Sequence, residues 1–182
     1  MPKYLGNVKE KIINTTRIML EANGYDKLNI RDIAANCNIG IGTFYNYFKS
    51  KNEILSEIIR KEWEKTLKSI DNNLDNQGYT INKLMFIYSE INEFMKITHG
   101  SGLSEFSKDT DKSEFSRIKE MKKRLRDELN ARVKSAISGK SEESKVNTYS
   151  DLITRLFISY ASEGSEDIEV MKDFFELILK NN

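Results

Sequence analysis

Apolar residues recur every three or four positions along most of the chain, the spacing that places them on one face of an α-helix. These stripes are interrupted where Gly, Asn and Ser accumulate, as expected for helix ends and helix starts. The first stripe stops at Gly24, and glycine favours a helix end because it adopts a left-handed backbone without strain. The pattern predicts eight or nine helices, including residues 7–23, 29–38, 41–48, 50–72, 81–99, 115–137, 141–160 and 166–180, with a loop or short irregular helix over 100–114.

Signals for β-strands are missing from the same pattern, because no segment alternates apolar and polar residues over a strand's length. The single proline is Pro2, which precedes every predicted helix. Proline breaks helix interiors because it removes a backbone hydrogen bond and clashes with the preceding turn, and no such break occurs here. The two observations predict an all-α fold.

Two short helices joined by a tight turn are predicted between residues 29 and 48. Asn29 is a favourable N-cap for the first helix, and Asn38 can supply a left-handed residue in the turn. On the second helix Phe44 and Phe48 are four positions apart and share an inward face, which leaves the polar residues between them outside. These dimensions are typical of a helix-turn-helix, whose second helix lies in the major groove of DNA.

A capping box follows this pair of helices. Ser50 is placed to cap the next helix, and Glu53 lies three positions on, where its carboxylate can reach back. Free backbone N–H groups at a capped helix start suit a phosphate. The long helix that begins here has an apolar stripe formed by Ile54, Leu55, Ile58, Ile59, Trp63, Leu67, Ile70 and Leu74.

Charge is distributed unevenly along the chain although its total is only +1. Residues 1–68 carry 12 Lys and Arg against 8 Asp and Glu, a net charge of +4. Residues 69–182 carry 17 against 20, a net charge of −3. Such an asymmetry indicates a nucleic-acid partner at the basic end of the chain.

Composition and motifs argue against several other classes of protein. The single cysteine, Cys37, excludes an intramolecular disulfide, and we expect it to be a packed residue rather than a redox sensor. No apolar run reaches the roughly 18 residues of a membrane span, and the N-terminus lacks the apolar core of a signal peptide, so we expect a cytoplasmic protein with no membrane partner. Because no nucleophile-and-base cluster, carboxylate pair or metal-ligand set can be assembled, we expect no catalytic residues, no metal and no cofactor.

The most specific motif is the run GTFYNYFKSK over residues 42–51. It resembles the "GTLYxYFxSK" run of the TetR/AcrR family of bacterial repressors, and the resemblance extends over residues 8–60. It implies a three-helix helix-turn-helix DNA-binding domain in residues 1–50 and a helical effector-binding and dimerisation domain in residues 51–182, connected by helix four. By position it also implies DNA contacts at Asn29, Arg31, Gly40, Ile41, Gly42, Thr43, Tyr45, Asn46, Tyr47, Lys49 and Lys51.

Individual roles follow from the same resemblance. Asn29 takes the place of a phosphate-binding threonine, Arg31 falls where some members read guanine, and Lys51 matches a lysine that grips the DNA backbone. Two positions depart from the family pattern. Gly40 replaces the usual Ser or Thr cap of the recognition helix, and Ile41 stands where a polar or basic residue is common, so the operator sequence stays open.

Aromatic and methionine residues of the later helices have two interpretations, because they can fill a core or line a pocket. The resemblance implies a pocket for a partly apolar small molecule, with candidates Trp63, Met85, Tyr88, Phe106, Phe115 and Tyr149. Wide apolar stripes on the last two helices indicate a subunit interface. The resemblance assigns a dimer interface to the same helices, with candidates Ile153, Phe157, Tyr160, Met171, Phe174, Phe175 and Ile178.

Taken together, the residues and the resemblance imply a homodimeric repressor that binds a palindromic operator in double-stranded DNA and is released by a small-molecule effector. Two alternatives come from other classes. An adaptor protein could use this fold for protein contacts, although the basic N-terminal region disfavours it. A small-molecule enzyme could be built on the helical domain, although the chain offers no catalytic cluster.

Overall fold

The computed structural model describes residues 8–100, 112–138, 143–164 and 168–180. Within these ranges the chain is helical, with no β-strand, which confirms the predicted all-α fold. None of the helices in the described ranges has an apolar stretch long enough to cross a membrane. The helices are α1 (Val8–Asn23), α2 (Ile30–Asn36), α3 (Ile41–Tyr47), α4 (Lys51–Asn73), α5 (Thr80–Gly100), α6 (Lys112–Ile137), α7 (Glu143–Ser162) and α8 (Ile168–Lys180), with a short 3-10 helix at Leu74–Gln77 after α4.

Contacts between residues divide the chain into two compact units. The first comprises Met1–Glu62 with Thr98–Phe115, and the second comprises Trp63–Ile97 with Ser116–Asn182. The division by contacts therefore falls inside α4. The functional division at residue 51, where α4 begins, stays a prediction.

The first unit has an apolar core built from α1, α2, α3 and the beginning of α4. Phe44 is fully buried, and its ring centroid lies 5.9 Å from that of Phe48, so the two phenylalanines face inward as predicted. Cys37 is also buried in this core. The other buried apolar side chains of the unit include Ile12, Ile13, Leu20, Leu28, Ile33, Ala34, Ile54, Leu55, Ile58 and Ile59.

Ion pairs join α1 to α4 along the edge of this core. Arg17 Nη1 lies 3.1 Å from a carboxylate oxygen of Glu62, and the Lys61 ammonium contacts Glu10. Lys9 Nζ lies 3.1 Å from Glu57, whose carboxylate also accepts two hydrogen bonds from Arg60. The hydrogen bonds from Arg60, assisted by those from Lys9, lower the pKa of Glu57 from its usual 4.5 to about 2.

Replacing Glu57 with glutamine is expected to lower the free energy of unfolding at neutral pH by about 1 to 2 kcal/mol, after allowance for solvent screening of its partly exposed partners. A carboxyl group whose folded pKa is depressed stabilises the protein above its unfolded pKa, and this contribution disappears as the pH falls through the folded pKa. The difference between the two proteins should therefore be complete above pH 4.5 and vanish near pH 2. Chemical denaturation at several pH values measures it, with Glu120→Gln at an exposed position of α6 as the control.

The second unit has an aromatic core. Trp63 and Phe94 have ring centroids 5.0 Å apart, and Phe157 lies 5.3 Å from Tyr88 and 5.8 Å from Phe175. All five side chains are buried. Edge-to-face and tilted ring pairs at such distances add to the stabilisation from area burial alone.

Polar contacts at the edge of this core tie α4 to α6. The Trp63 indole N–H donates to Glu128 at 2.8 Å, and Arg132 donates two hydrogen bonds, of 2.9 and 2.7 Å, to the carboxylate of Asp71. The paired guanidinium geometry orients the two helices because both donors must meet both oxygens.

Candidate nucleic-acid interface

The turn between α2 and α3 is closed by backbone hydrogen bonds around one left-handed residue. Asn38 has a φ of 51°, as its position predicted, and its N–H donates to the Ala35 carbonyl at 2.9 Å. The next N–H, that of Ile39, donates to Ala34 at 3.0 Å. Asparagine tolerates this conformation better than other residues with a Cβ, so the sequence itself determines where the chain reverses.

Asn29 begins α2 as predicted. Its side-chain oxygen accepts a hydrogen bond from the Asp32 N–H at 2.9 Å, and its amide donates to the Asp32 carboxylate. The side chain is exposed but already engaged in capping the helix. A phosphate contact at Asn29, if made, would share this side chain with the cap, and it stays a prediction.

The outer face of α3 is open to solvent. Tyr45 and Ile41 are 43% and 42% exposed, and Asn46 is also exposed, whereas Thr43 and Tyr47 are half-buried. Tyr45 and Asn46 are therefore the side chains of this helix best placed to meet a base edge. A smaller fraction of the Tyr47 side chain is exposed than of Tyr45 or Asn46, and its contact with DNA stays a prediction.

Two glycines mark the beginning of α3. Gly40 is the N-cap of α3 in an extended conformation and, because glycine has no side chain, it offers no hydroxyl to cap the helix. A Cβ placed on Gly42 would meet nothing within 4 Å. Packing within the protein therefore does not require Gly42, and the helix start is open to a close approach from outside.

An open groove of about 590 Å³ lies between α2, α3 and the start of α4. It brings together four residues that the sequence predicted as DNA contacts, from three different helices or their caps. The predicted residues Thr43, Asn46, Tyr47 and Lys49 do not line it. The lining residues are Leu28, Asn29, Ile30, Arg31, Asp32, Tyr45 and Lys51.

Both lysines among the predicted DNA contacts donate hydrogen bonds to carbonyl groups of the protein. Lys49 Nζ donates to the Tyr45 carbonyl at 3.0 Å, at the C-terminal end of α3, where a positive charge is favoured by the helix dipole. Lys51 Nζ donates to the Tyr25 carbonyl at 2.8 Å and lies 3.7 Å from the centroid of the Tyr25 ring. The contact fixes the Lys51 ammonium at the groove.

Helix α4 starts with the predicted capping box. The Ser50 hydroxyl accepts a hydrogen bond from the Glu53 N–H at 3.1 Å, and the Glu53 carboxylate reaches back to the N–H of Lys49, the residue before the cap. The capping box thereby orders the first turn of α4, which begins at Lys51 and whose backbone N–H groups have no partner within the helix.

Comparison with known proteins agrees with this geometry. Residues 12–58, from α1 to the first turns of α4, match the bacterial regulatory proteins of the tetR family. The chain is similar to the TetR family over this region. Its matched region contains α2, the turn and α3 in full.

Two relatives and a fold neighbour of the chain are regulators by name. The HTH-type transcriptional regulator YvdT of Bacillus subtilis is 30% identical over 110 residues, which cover 57% of each chain. The repressor KstR of Mycolicibacterium smegmatis is 25% identical over 88 residues, 48% of this chain and 43% of that protein. The chain thus spans about half the length of the curated relatives it matches.

A solved structure extends the likeness to the whole fold. The transcriptional regulator FadR from Bacillus subtilis, crystallised in complex with stearoyl-CoA, has a TM-score of 0.65 with 18% identity and covers 91% of this chain and 94% of its own. At that identity the likeness concerns the fold alone. An all-helical fold of this kind is therefore found in a solved transcriptional regulator.

The residues predicted to line an effector pocket lie in different environments. Trp63 and Tyr88 are buried in the aromatic core, and Met85 is half-buried. Phe115 and Tyr149 are 54% and 44% exposed. Phe106 lies outside the described residues, and the pocket stays a prediction.

The predicted dimer interface needs a correction. Phe157, Met171 and Phe175 are at most 2% exposed within the single chain, so these three side chains are not available to a partner. The apolar stripes of α7 and α8 are wider than the faces that pack in the core, so other apolar residues of the same helices remain exposed to solvent. Ile153 and Tyr160 are half-buried, Phe174 is 43% exposed, and the side chain of Ile178 lies outside the described residues.

Three residues at the candidate interface were not predicted from the sequence. Tyr25 holds Lys51 through its carbonyl and ring, and its hydroxyl donates to Asn52 at 3.3 Å. Glu114, distant in sequence, accepts hydrogen bonds from Ser50 and Asn52. The proximity of Tyr25 to the motif was a usable signal, whereas nothing in the sequence pattern connects Glu114 to α4.

Proposed function

We propose that the protein is a cytoplasmic transcriptional repressor of the TetR type, which binds as a homodimer to a palindromic operator in double-stranded DNA and is released by a small-molecule effector. Residues 1–50 would form the DNA-binding domain and residues 51–182 the effector-binding and dimerisation domain. The observation that carries the proposal is the exposed face of α3 beside the groove that gathers Arg31, Tyr45 and Lys51, within the region that matches the family.

In the proposed complex α3 enters the major groove. Asn46 offers a paired donor and acceptor that suits adenine, and Arg31 can donate two hydrogen bonds to O6 and N7 of guanine. Tyr45 can contact a thymine methyl or a phosphate with its ring or its hydroxyl. The start of α4 with Lys51 provides backbone contacts, which set the position of the protein on DNA without reading its sequence.

A second copy of the chain is the proposed partner of α7 and α8. Leu152 and Leu177 are 58% and 67% exposed, and Phe174 adds a half-exposed ring. Apolar side chains of this size on the surface indicate a site of protein association. Two protomers would present two recognition helices, so that an inverted repeat is read by a symmetric dimer.

Replacing Leu152 with glutamate is expected to shift the protein from dimer to monomer, because two-fold symmetry places the new charge in the interface in both subunits. Sedimentation equilibrium measures the change, and circular dichroism checks that the fold is retained. Glutamate in place of the exposed Ile18 on α1 is the matched control and should leave the mass unchanged. Identical masses for the two variants and the unmodified protein would contradict this interface.

The effector is proposed to be partly apolar and to bind the second unit. Its action requires that it binds better to a conformation with unsuitably spaced recognition helices, since a ligand shifts an equilibrium only by its differential affinity. The complex of the fold neighbour FadR makes stearoyl-CoA the first compound to test. Release of DNA by stearoyl-CoA would support the proposal, and release by an unrelated apolar molecule alone would assign a different effector class.

The DNA-binding proposal is tested by selection from a library of random duplexes. The protein is expected to enrich an inverted repeat whose half-sites lie about one helical turn apart. Enrichment of a single unrepeated site would argue against the proposed dimer but not against DNA binding. Failure to enrich any sequence would overturn the proposed function and favour an adaptor protein that uses this fold for protein contacts.

A further inference from the structure

The carboxylate of Glu114 lies on the N-terminal end of α4. One oxygen accepts a hydrogen bond from the Ser50 hydroxyl at 2.7 Å, and the other accepts one from the Asn52 side-chain amide at 3.3 Å. Ser50 is the cap of α4, and Asn52 is 8% exposed. Glu114 belongs to the first turn of α6 and to the same compact unit as the start of α4.

Each group that meets this carboxylate is one that would also suit a phosphate. A helix N-terminus carries positive partial charge and favours anions, and a hydroxyl and an amide beside it are further donors. Lys51 stands between Ser50 and Asn52 and lines the groove with Arg31 and Tyr45. An anion from within the protein thus occupies donors on the two residues that flank Lys51 in the chain.

We propose that Glu114 acts as an internal competitor for a DNA phosphate at the start of α4 and so lowers the affinity of the protein for DNA. The inference rests on the proposed function. While the carboxylate is in place, the Ser50 hydroxyl and the Asn52 amide are engaged. When it is removed, one additional phosphate can be bound there.

Glu114→Gln removes the charge with little change of shape, and Glu114→Ala removes both acceptors. Both variants are expected to bind a selected operator about five- to tenfold more tightly at low salt, in the range of one net hydrogen bond. The number of bound phosphates is read from salt dependence, because each one steepens the slope of log K against log salt by about 0.9. A steeper slope by about this amount is expected for both variants, and a purely structural role of Glu114 would not produce it.

Glu120→Gln is the matched control, because it removes the same charge from an exposed position on the same helix. It should raise affinity less and leave the slope unchanged. Ser50→Ala, made alone and together with Glu114→Ala, completes a double-mutant cycle, in which loss of the hydroxyl should reduce the gain from Glu114→Ala. Circular dichroism verifies that each variant is folded.

Fluorescence-anisotropy titration of these proteins with the selected duplex and a scrambled duplex separates the outcomes. If the unmodified protein prefers the selected duplex and Glu114→Gln behaves like Glu120→Gln, the proposed function stands and the competitor role is overturned. Weaker binding by both Glu114 variants would also overturn it, since Glu114 would then position α4 for DNA. If no protein in the set prefers the selected duplex, the proposed function and the inference fail together.

Discussion

Replacing Phe44 with alanine is expected to lower the free energy of unfolding by about 3 to 5 kcal/mol, the range for truncating a buried phenylalanine. The side chain has no exposed surface, and its ring packs against Phe48 in the core beneath α3. The seven-residue helix α3 is too short to be stable in water by itself, so its position depends on this contact. Urea denaturation followed by circular dichroism measures the loss.

Tyr45→Ala is the control for this change, because it truncates the neighbouring aromatic side chain, which is 43% exposed. Its cost in stability is expected to be below about 1 kcal/mol, as is usual for surface positions. Its effect should instead fall on DNA binding. Equal destabilisation by the two variants would contradict the assignment of Phe44 to the inner face and Tyr45 to the outer face of α3.

Asn46→Ala and Lys51→Ala are expected to affect DNA binding in different ways. Loss of the Asn46 amide should cost about 1 to 3 kcal/mol on the selected operator and relax the preference at one base pair. Loss of the Lys51 ammonium should weaken binding to all duplexes alike and reduce the salt slope by about one. The reason is that Asn46 is exposed on the face of α3, whereas Lys51 stands at the start of α4.

Binding titrations on the operator, on single-base variants of it and on a scrambled duplex distinguish the two roles. Lys68→Ala, at an exposed position further along α4, is the control for the loss of one positive charge. Reversed behaviour, with uniform weakening from Asn46→Ala and altered preference from Lys51→Ala, would exchange the roles assigned to these residues.

Local sequence signals predicted the helix-turn-helix in detail because its determinants are local. A cap at Asn29, a left-handed residue at Asn38 and a capping box at Ser50 each depend on residues within four positions, and all three are present in the structure. The i, i+4 spacing of Phe44 and Phe48 likewise determines which face of α3 is inward. The family resemblance added the functional roles, which rest on no local signal.

Contacts between distant segments were not predictable in the same way. Glu114 reaches Ser50 only because α6 begins near the start of α4, and no periodicity records that proximity. On α8 the adjacent residues Phe174 and Phe175 are equally apolar, yet one is 43% and the other 1% exposed. When an apolar stripe is wider than one helix face, the sequence does not show which of its residues are buried within the protomer. The predicted interface therefore included core residues.

The distribution of charged residues along the sequence identified the basic region, but it did not show which of the positive side chains are paired within the protein. The net charge of +4 over residues 1–68 includes Lys9, Arg17 and Lys61, which form ion pairs between α1 and α4. Lys51 is held by the Tyr25 carbonyl at the groove. Part of the basic excess therefore stabilises the unit that presents α3.

Sequence-specific DNA binding by the α2–α3 pair is measured most directly as the ratio of the affinities for the selected inverted repeat and for a scrambled duplex at physiological salt. We expect a ratio of about 10³ or more, as is typical of specific DNA-binding proteins, and a lower ratio for Asn46→Ala. A ratio near one, with binding that depends on salt alone, would contradict sequence-specific binding.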